Sequence, residues 1–101
     1  PTPLRDWGGE ESKRETAKNC FYPILTKNSK IIGFGDVCED NYHPESSNII
    51  KGDIIEVYPI DSSGIERKWR CSLDTVKTLL SELKCEKIKD EFRYDSNYFI
   101  M

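Results

Sequence analysis

The chain changes its hydrophobic period once, at Ser72, and this change limits the folds that it can adopt. Between residues 20 and 71, apolar residues occur in short runs separated by polar turn sequences such as "TKNSK" and "DSSG". That pattern is typical of β-strands joined by tight turns. After Ser72, apolar residues recur every three or four positions, at Leu73, Val76, Leu80 and Leu83, with Leu79 beside them. This spacing predicts an amphipathic helix over about 72–84, with Ser72 as its N-cap.

Strands are predicted on both sides of this helix. Before it, strand patterns cover 20–26, 30–37, 53–60 and 65–71, and the polar segment 38–52 is predicted to be a long loop. After it, alternation over 87–94 predicts a half-exposed strand, and a turn at 95–97 leads to a last strand at 98–101. The fold class is therefore α+β: a small antiparallel sheet or set of hairpins, with one amphipathic helix packed on one face.

The domain organisation follows from the distribution of apolar residues. A chain of 101 residues is long enough for one modest core. Residues 1–19 are rich in Pro, Gly and mixed charge, which favours an extended arm or linker. Residues 20–101 are predicted to be a single α+β domain. Because the sequence starts at Pro1 and stops at Met101 inside the apolar run "YFIM", we expect it to be a fragment of a longer chain.

Two strand-like segments share the sequence Tyr-Pro-Ile, at 22–24 and 58–60. Proline cannot donate to a β-ladder, so Pro23 and Pro59 are expected at sheet edges, bulges or strand ends. The segment "GFGD" at 33–36 resembles a phosphate-binding glycine loop only superficially, because no helix follows it. A β-bulge or a close backbone approach is the better interpretation.

The cysteine and histidine pattern argues against a metal or catalytic site. Four cysteines are widely spaced without a C-x-x-C pair, and His43 is the only histidine, so we predict no metal site and free thiols. Cys38 and His43 lie close in sequence, but no third group is evident to orient them as a nucleophile and base. No apolar run reaches the roughly 18 residues of a membrane span. We expect a cytoplasmic protein without a membrane partner.

The basic residues form two groups with open roles. Alternation in "IERKWRC" places Arg67 with Trp69 on one face, where Arg67 stacks or pairs with a carboxylate such as Glu56 or Asp90. The opposite face carries basic side chains that are either solvated or in contact with DNA, and the basic residues of the arm are either ordinary surface or phosphate contacts. The candidate DNA-binding residues are Lys13, Arg14, Lys18, Arg67, Lys68 and Arg70. A net charge of −3 counts against an independent nucleic-acid binder.

Several of these segments together resemble one family. The stretch "ESKRETAKNCFYPI" is similar to a motif of site-specific DNA methyltransferases of the type III Mod kind, where it introduces the target-recognition region. "IIGFGDV", "HPE", "IEVYPID" and "GIERKWR" resemble the segments that follow, so the resemblance covers roughly residues 8–85. The matching positions are Ser12, Lys13, Arg14, Glu15, Asn19, Phe21, Tyr22, Pro23, Ile24, Trp69 and Arg70. The sequence departs from the family at Thr16, Ala17 and Lys18, where the family has Asp-Arg-Pro.

The resemblance implies a role in choosing the DNA sequence. The Asp-Pro-Pro-Tyr catalytic motif and the Phe-x-Gly-x-Gly cofactor motif of these enzymes do not occur in this sequence, so we expect no catalysis and no cofactor in this fragment. The parent chain is expected to be an S-adenosylmethionine-dependent adenine DNA methyltransferase of a restriction-modification system. Expected partners are double-stranded DNA, the methyltransferase core of the same chain, and a restriction subunit or a second copy. The alternative is an interaction module that packs on those proteins.

Overall fold

In the part of the chain that the structure describes, the strands form two antiparallel sheets, and one short α-helix packs on the core of the larger sheet. The computed structural model describes residues 2–6, 9–28, 30–78, 83–88 and 91–96. Its regular elements are β1 (Thr2–Pro3), β2 (Ile24–Lys27), β3 (Lys30–Phe34), β4 (Asn48–Lys51), β5 (Ile54–Val57), α1 (Leu73–Thr78), β6 (Leu83–Ile88) and β7 (Glu91–Ser96). Three single-turn 3-10 helices precede β2, at Glu10–Ser12, Arg14–Thr16 and Lys18–Cys20. The predicted α+β class is confirmed.

The larger sheet has four strands in the order β3-β2-β5-β4. A tight turn connects the two strands of each of its hairpins, β2–β3 and β4–β5. Each turn contains a residue with positive φ: Asn28 at 52° and Gly52 at 62°. Asparagine and glycine tolerate this left-handed conformation better than other residues. The smaller sheet, in the order β1-β7-β6, is built on the β6–β7 hairpin. Sequence proximity therefore determines most of the strand pairing.

The glycine segment after the first hairpin turn behaves as the sequence predicted. The β2–β3 register shifts between Leu25 and Thr26, opposite Ile31 and Gly33, which marks a bulge or irregularity. Gly35 lies so close to Pro23 that a Cβ placed on it would be 2.5 Å from Pro23 Cγ. Pro23 itself directly precedes β2, and Pro59 lies just beyond β5. Both prolines are thus at strand ends, and the interpretation of this segment as a bulge with a close backbone approach is confirmed.

The main core lies between the larger sheet, α1 and neighbouring segments of irregular structure. It contains the buried residues Leu4, Tyr22, Ile24, Val57, Trp69, Cys71 and Val76. Val76 is the buried residue of α1, and Leu73 packs at the margin of the same cluster. Ser72 caps the helix, since Thr75 N donates to Ser72 Oγ at 3.4 Å. A second cluster contains Phe21, Tyr58 and Ile60.

The helix is shorter than the leucine spacing predicted. Helical structure covers Leu73–Thr78, while Leu83, the last residue of the predicted stripe, lies in β6. Leu79 and Leu80 lie outside the described residues, as does the predicted strand at 98–101. The boundary is wrong because "LKCEKI" also alternates, and pairing with β7 over six residues determines its conformation. No helix in the described part of the chain is long and apolar enough to cross a membrane.

Three further segments differ from the sequence prediction. The single strand predicted over 87–94 spans parts of two strands, β6 and β7, which pair with each other, and β7 extends into the predicted turn at 95–97. The predicted loop 38–52 contains β4, which pairs with β5 along its whole length. The predicted strand 65–71 forms only isolated bridges, one of them between Ile60 and Glu66 and two with the N-terminal segment. That segment is more closely packed than an extended arm, because Leu4, Ser12 and Arg14 are buried. Contacts with residues 66–71 hold the turns of this N-terminal segment in place.

Candidate functional site

The candidate residues lie where the N-terminal segment runs antiparallel to residues 66–70. Backbone bonds join Asp6 N to Lys68 O at 2.8 Å and Arg70 N to Leu4 O at 2.9 Å. Further along, Arg14 N donates to Glu66 O at 3.1 Å. This pairing brings together the two groups of basic residues that the sequence separates by about fifty positions. It brings the first and the last motif of the family resemblance side by side.

Arg14 is the most deeply buried of the candidate DNA-binding residues, with 7% of its surface exposed. Its Nη1 donates to Tyr42 O at 2.7 Å and its Nη2 to Glu39 O at 2.8 Å. The guanidinium carbon lies 3.9 Å from the centroid of the Phe21 ring, within the range of a cation–π contact. Arg14 therefore anchors the polar loop that leads to β4, and its donors are directed into the protein.

Glu66 links Arg14 to the only histidine of the chain. Its Oε1 accepts from Arg14 Nη1 at 3.1 Å, and both of its carboxylate oxygens lie 3.0 Å from His43 Nδ1. A shallow cleft of about 280 Å³ opens beside this cluster. Its lining residues are Arg14, Glu15, Lys18, Asp40, His43 and Glu66. The sequence missed this cluster, because His43 and Glu66 carry no shared motif and meet only through the fold.

Arg67 forms a second ion pair within the protein. Its Nε donates to Asp61 Oδ2 at 2.9 Å, and its Nη1 donates to Ser12 Oγ at 2.8 Å. Burial alone would raise the pKa of Asp61, but hydrogen bonds from Ile65 N, Arg67 and Ser63 N hold that pKa below its usual value. Arg67 thus pairs with a carboxylate, which is one of the two alternatives predicted. The carboxylate is that of Asp61 in the preceding turn.

Of the two carboxylates proposed from the sequence, Glu56 has other partners. It binds Lys51 at 3.2 Å and accepts from the Tyr58 hydroxyl at 3.2 Å. Asp90 lies outside the described residues. Asp61 reaches Arg67 because the Asp-Ser-Ser-Gly turn directs its carboxylate toward the segment that follows, where Ser63 N and Ile65 N also donate to it.

Four candidates lie nearer the surface. Lys13 pairs with Glu10 at 3.1 Å and Lys18 pairs with Asp40 at 3.3 Å. Arg70 lies 3.6 Å from Asp6, with about a quarter of each side chain exposed. Lys68 is half-buried and forms no ion pair with the residues that the structure describes. Lys68 and Arg70 flank the buried Trp69, so both are directed away from the core.

The aromatic residues of the motifs form the hydrophobic framework that supports these basic residues. Trp69 Nε1 donates to Tyr22 O at 2.7 Å, and the Tyr22 hydroxyl donates to Cys71 O at 2.9 Å. Burial raises the pKa of Tyr22 above its ordinary value, so its hydroxyl stays protonated. Tyr58 stacks on Phe21, with ring centroids 5.9 Å apart. The two Tyr-Pro-Ile segments thus place one tyrosine in each hydrophobic cluster.

His43 and Cys38, the pair considered from the sequence as a base and a nucleophile, have different contacts in the fold. His43 contacts Glu66, while Cys38 packs against the second cluster, where burial raises the pKa of its thiol. Cys20, Cys38 and Cys71 are free thiols. Among the described residues, no three His, Cys, Asp or Glu side chains are placed to hold a metal ion.

Comparison of the chain with protein-family models, with curated proteins and with solved structures gives no match. A functional interpretation therefore depends on the motifs of the sequence and on the geometry described above.

Proposed function

We propose that the chain is a DNA target-recognition region of a site-specific adenine DNA methyltransferase of a restriction-modification system, acting in the cytoplasm beside the methyltransferase core of its own chain. The contact between Trp69 and Tyr22, which are 47 positions apart, carries the proposal. Both residues belong to the motifs of the resemblance. The fold thus packs the two motifs together in the main core.

Within this proposal, four of the six candidate residues have one of two roles. Arg14 and Arg67 are ion-paired and largely buried, so they hold the framework together. Lys68 and Arg70 flank Trp69 at the surface and are the best-placed contacts to phosphate or to base edges. Arg70 lies 3.6 Å from Asp6, so a phosphate would compete with Asp6 for Arg70.

The chain would supply recognition and leave the reaction to the core of the parent enzyme. Basic side chains fix the register of a protein on the duplex, while contacts to base edges specify the sequence. Methylation of adenine needs a base flipped out of the stack into a separate active site. S-adenosylmethionine and the catalytic groups would belong to that core. On this basis, the chain alone transfers no methyl group.

Binding of duplex DNA as a function of salt concentration tests the proposal. We expect the full-length protein that contains this chain to select a sequence from a randomised duplex library, and Lys68→Ala in that protein to weaken binding of all sequences while reducing the salt slope by about 1. Arg70→Ala is expected to relax preference at one base pair, at a cost of about 1–3 kcal/mol. Lys30→Ala, an exposed lysine on β3, serves as the matched control. If Lys68→Ala and Arg70→Ala bind specific and random duplexes as the wild type does at every salt concentration, DNA recognition by this chain is refuted.

The interaction module is the second candidate, and the ion pairs favour it. Five of the six candidate DNA-binding residues already form ion pairs with carboxylates of the same chain. This leaves little free positive charge for phosphates in a domain whose net charge is −3. The module would pack on a methyltransferase core, a restriction subunit or a second copy. It is favoured if Lys68→Ala and Arg70→Ala leave duplex binding unchanged but reduce association with one of those proteins.

A further inference from the structure

β4 forms one edge of the larger sheet and carries an exposed apolar side chain. In the strand order β3-β2-β5-β4, β4 pairs with β5 on one side and has no strand partner on the other among the described residues. Ile50, in the middle of β4, is 73% exposed, the highest value among the large apolar residues described. An edge of this kind is a template for pairing with another strand.

The hydrogen-bond pattern shows which groups of β4 are directed outward. Tyr58 N donates to Ser47 O at 2.7 Å, and the two residues continue the β4–β5 register. Hydrogen-bonded and non-hydrogen-bonded pairs alternate along an antiparallel ladder. Ile49 and Lys51 therefore bond to β5, and Ile50 directs its N–H and C=O away from the sheet. The most exposed apolar residue also offers the free backbone groups.

Ile50 extends an apolar row that crosses the sheet. It lies opposite Ile55 of β5, which lies opposite Thr26 of β2, and Thr26 in turn lies opposite Ile31 of β3. Thr26 is fully buried, Ile55 is half-buried and Ile50 is exposed. The row thus passes from the core to the edge of the sheet and ends on an apolar residue.

We propose that β4 pairs with β4 of a second copy in an antiparallel arrangement centred on Ile50. In this register Ile50 lies opposite the partner's Ile50, and the two exchange both backbone hydrogen bonds. Ile49 then lies opposite the partner's Lys51, the last residue of β4. No like charges face each other in this arrangement, and like charges directly opposed destabilise a pair of strands. A two-fold axis closes the contact at two copies.

The adjacent register is disfavoured by the side chains that it brings together. Centring the pair on Ile49 would also direct the correct backbone groups toward each other, but it would place each exposed Ile50 opposite the partner's Asn48, so the two exposed apolar side chains would not meet. Lysine on an edge strand usually prevents such pairing, yet Lys51 Nζ is bound to Glu56 Oε1 of its own sheet at 3.2 Å. Its charge is therefore offset. Because β4 has only four residues, the association is weak and needs to be measured at high protein concentration.

The first test is the mass of the chain in solution by sedimentation equilibrium. From about 10 μM to about 1 mM, the range of weak association, we expect the apparent mass to rise from 11.7 kDa toward twice that value. Ile50→Lys should remain monomeric over the same range. Ile32→Lys is the matched control, because Ile32 is also an exposed isoleucine, 51% accessible, on the opposite edge strand. It should associate as the wild type does.

A crosslinking experiment tests the register itself. In a hydrogen-bonded antiparallel pair the Cα atoms are about 5.5 Å apart, which is within disulfide range. With diamide as oxidant, which takes up the two thiol protons and two electrons, Ile50→Cys should form a covalent dimer faster than the wild type and faster than Ile32→Cys. A wild type that stays monomeric would overturn the proposal. So would masses beyond the dimer, or loss of association in Ile32→Lys with Ile50→Lys unaffected.

Discussion

Replacing Arg14 with alanine should destabilise the whole domain, because one guanidinium joins three parts of the chain. It donates to Tyr42 O and Glu39 O in the polar loop, pairs with Glu66, and stacks on Phe21. Alanine removes all of these contacts at once. The loop that contains residues 39–43 would lose its anchor.

The expected loss can be estimated from the separate contacts. Breaking a fully buried ion pair by removing one partner costs about 3–5 kcal/mol, but Glu66 is 21% exposed and keeps its contact with His43. The carbonyl oxygens of Tyr42 and Glu39 belong to exposed residues, so water can replace their donor. The stacking on Phe21 adds about 0.5–2 kcal/mol. We therefore expect a loss of about 2–4 kcal/mol, equivalent to a fall in Tm of about 10–20 °C for a domain of this size.

Urea denaturation and thermal melting followed by circular dichroism measure this loss. Arg14→Lys keeps the charge without the planar fork and should lie between the wild type and Arg14→Ala. Lys18→Ala, which removes an exposed ion pair close in sequence, should change the free energy of unfolding by less than about 0.5 kcal/mol. Hydrogen exchange at the Glu39–His43 amides should accelerate in Arg14→Ala alone. If Arg14→Ala unfolds within about 0.5 kcal/mol of the wild type, the assignment of Arg14 to the framework is wrong.

Two further substitutions test other contacts of the fold. Gly35→Ala should lower the Tm, because its Cβ would lie 2.5 Å from Pro23 Cγ, whereas Gly33→Ala, with open space around the added Cβ, should cost less; equal Tm values would contradict the close approach. Asp61→Asn should lower the free energy of unfolding at pH 7, and its difference from the wild type should shrink as the pH falls below the ordinary aspartate value of 3.8. The sign follows because a lowered pKa in the folded state stabilises the protein only while the carboxylate is charged; urea titrations at pH 7 and pH 3 with an unchanged difference would refute it.

The sequence predicted the elements whose signals are local. The Ser72 cap, the strand-end prolines and the bulge near Gly33 each depend on a few neighbouring residues, and the structure contains all three. The end of the helix was mispredicted, since Leu83 fits both a helical stripe and an alternating strand. Pairing with β7 decides between the two, and no local pattern encodes that pairing. β4 was missed for a related reason: its four residues, two half-buried and two exposed, are too few to show a period.

The candidate site was harder to predict because its contacts are distant in sequence. Alternation in "IERKWRC" correctly placed Trp69 and Cys71 on the buried side. It could not show that Glu66, on the other side, would meet Arg14 and His43, which are 52 and 23 positions away. Arg67 was expected to stack or to pair with a carboxylate such as Glu56 or Asp90, but the structure pairs it with Asp61 of the nearby turn. Such pairs depend on how loops fold back, which the hydrophobic pattern does not determine.

The internal ion pairs change what the basic motif of the first segment means. Read from the sequence, Lys13, Arg14 and Lys18 form a positive patch that suits phosphate groups. In the fold, each has a carboxylate partner within the chain, so the same residues neutralise acidic side chains before any ligand arrives. Affinity for DNA depends on positive charge that remains available to phosphates. The motif would then support recognition indirectly, by fixing the segment that carries Lys68, and most of the electrostatic attraction would have to come from the core of the parent enzyme.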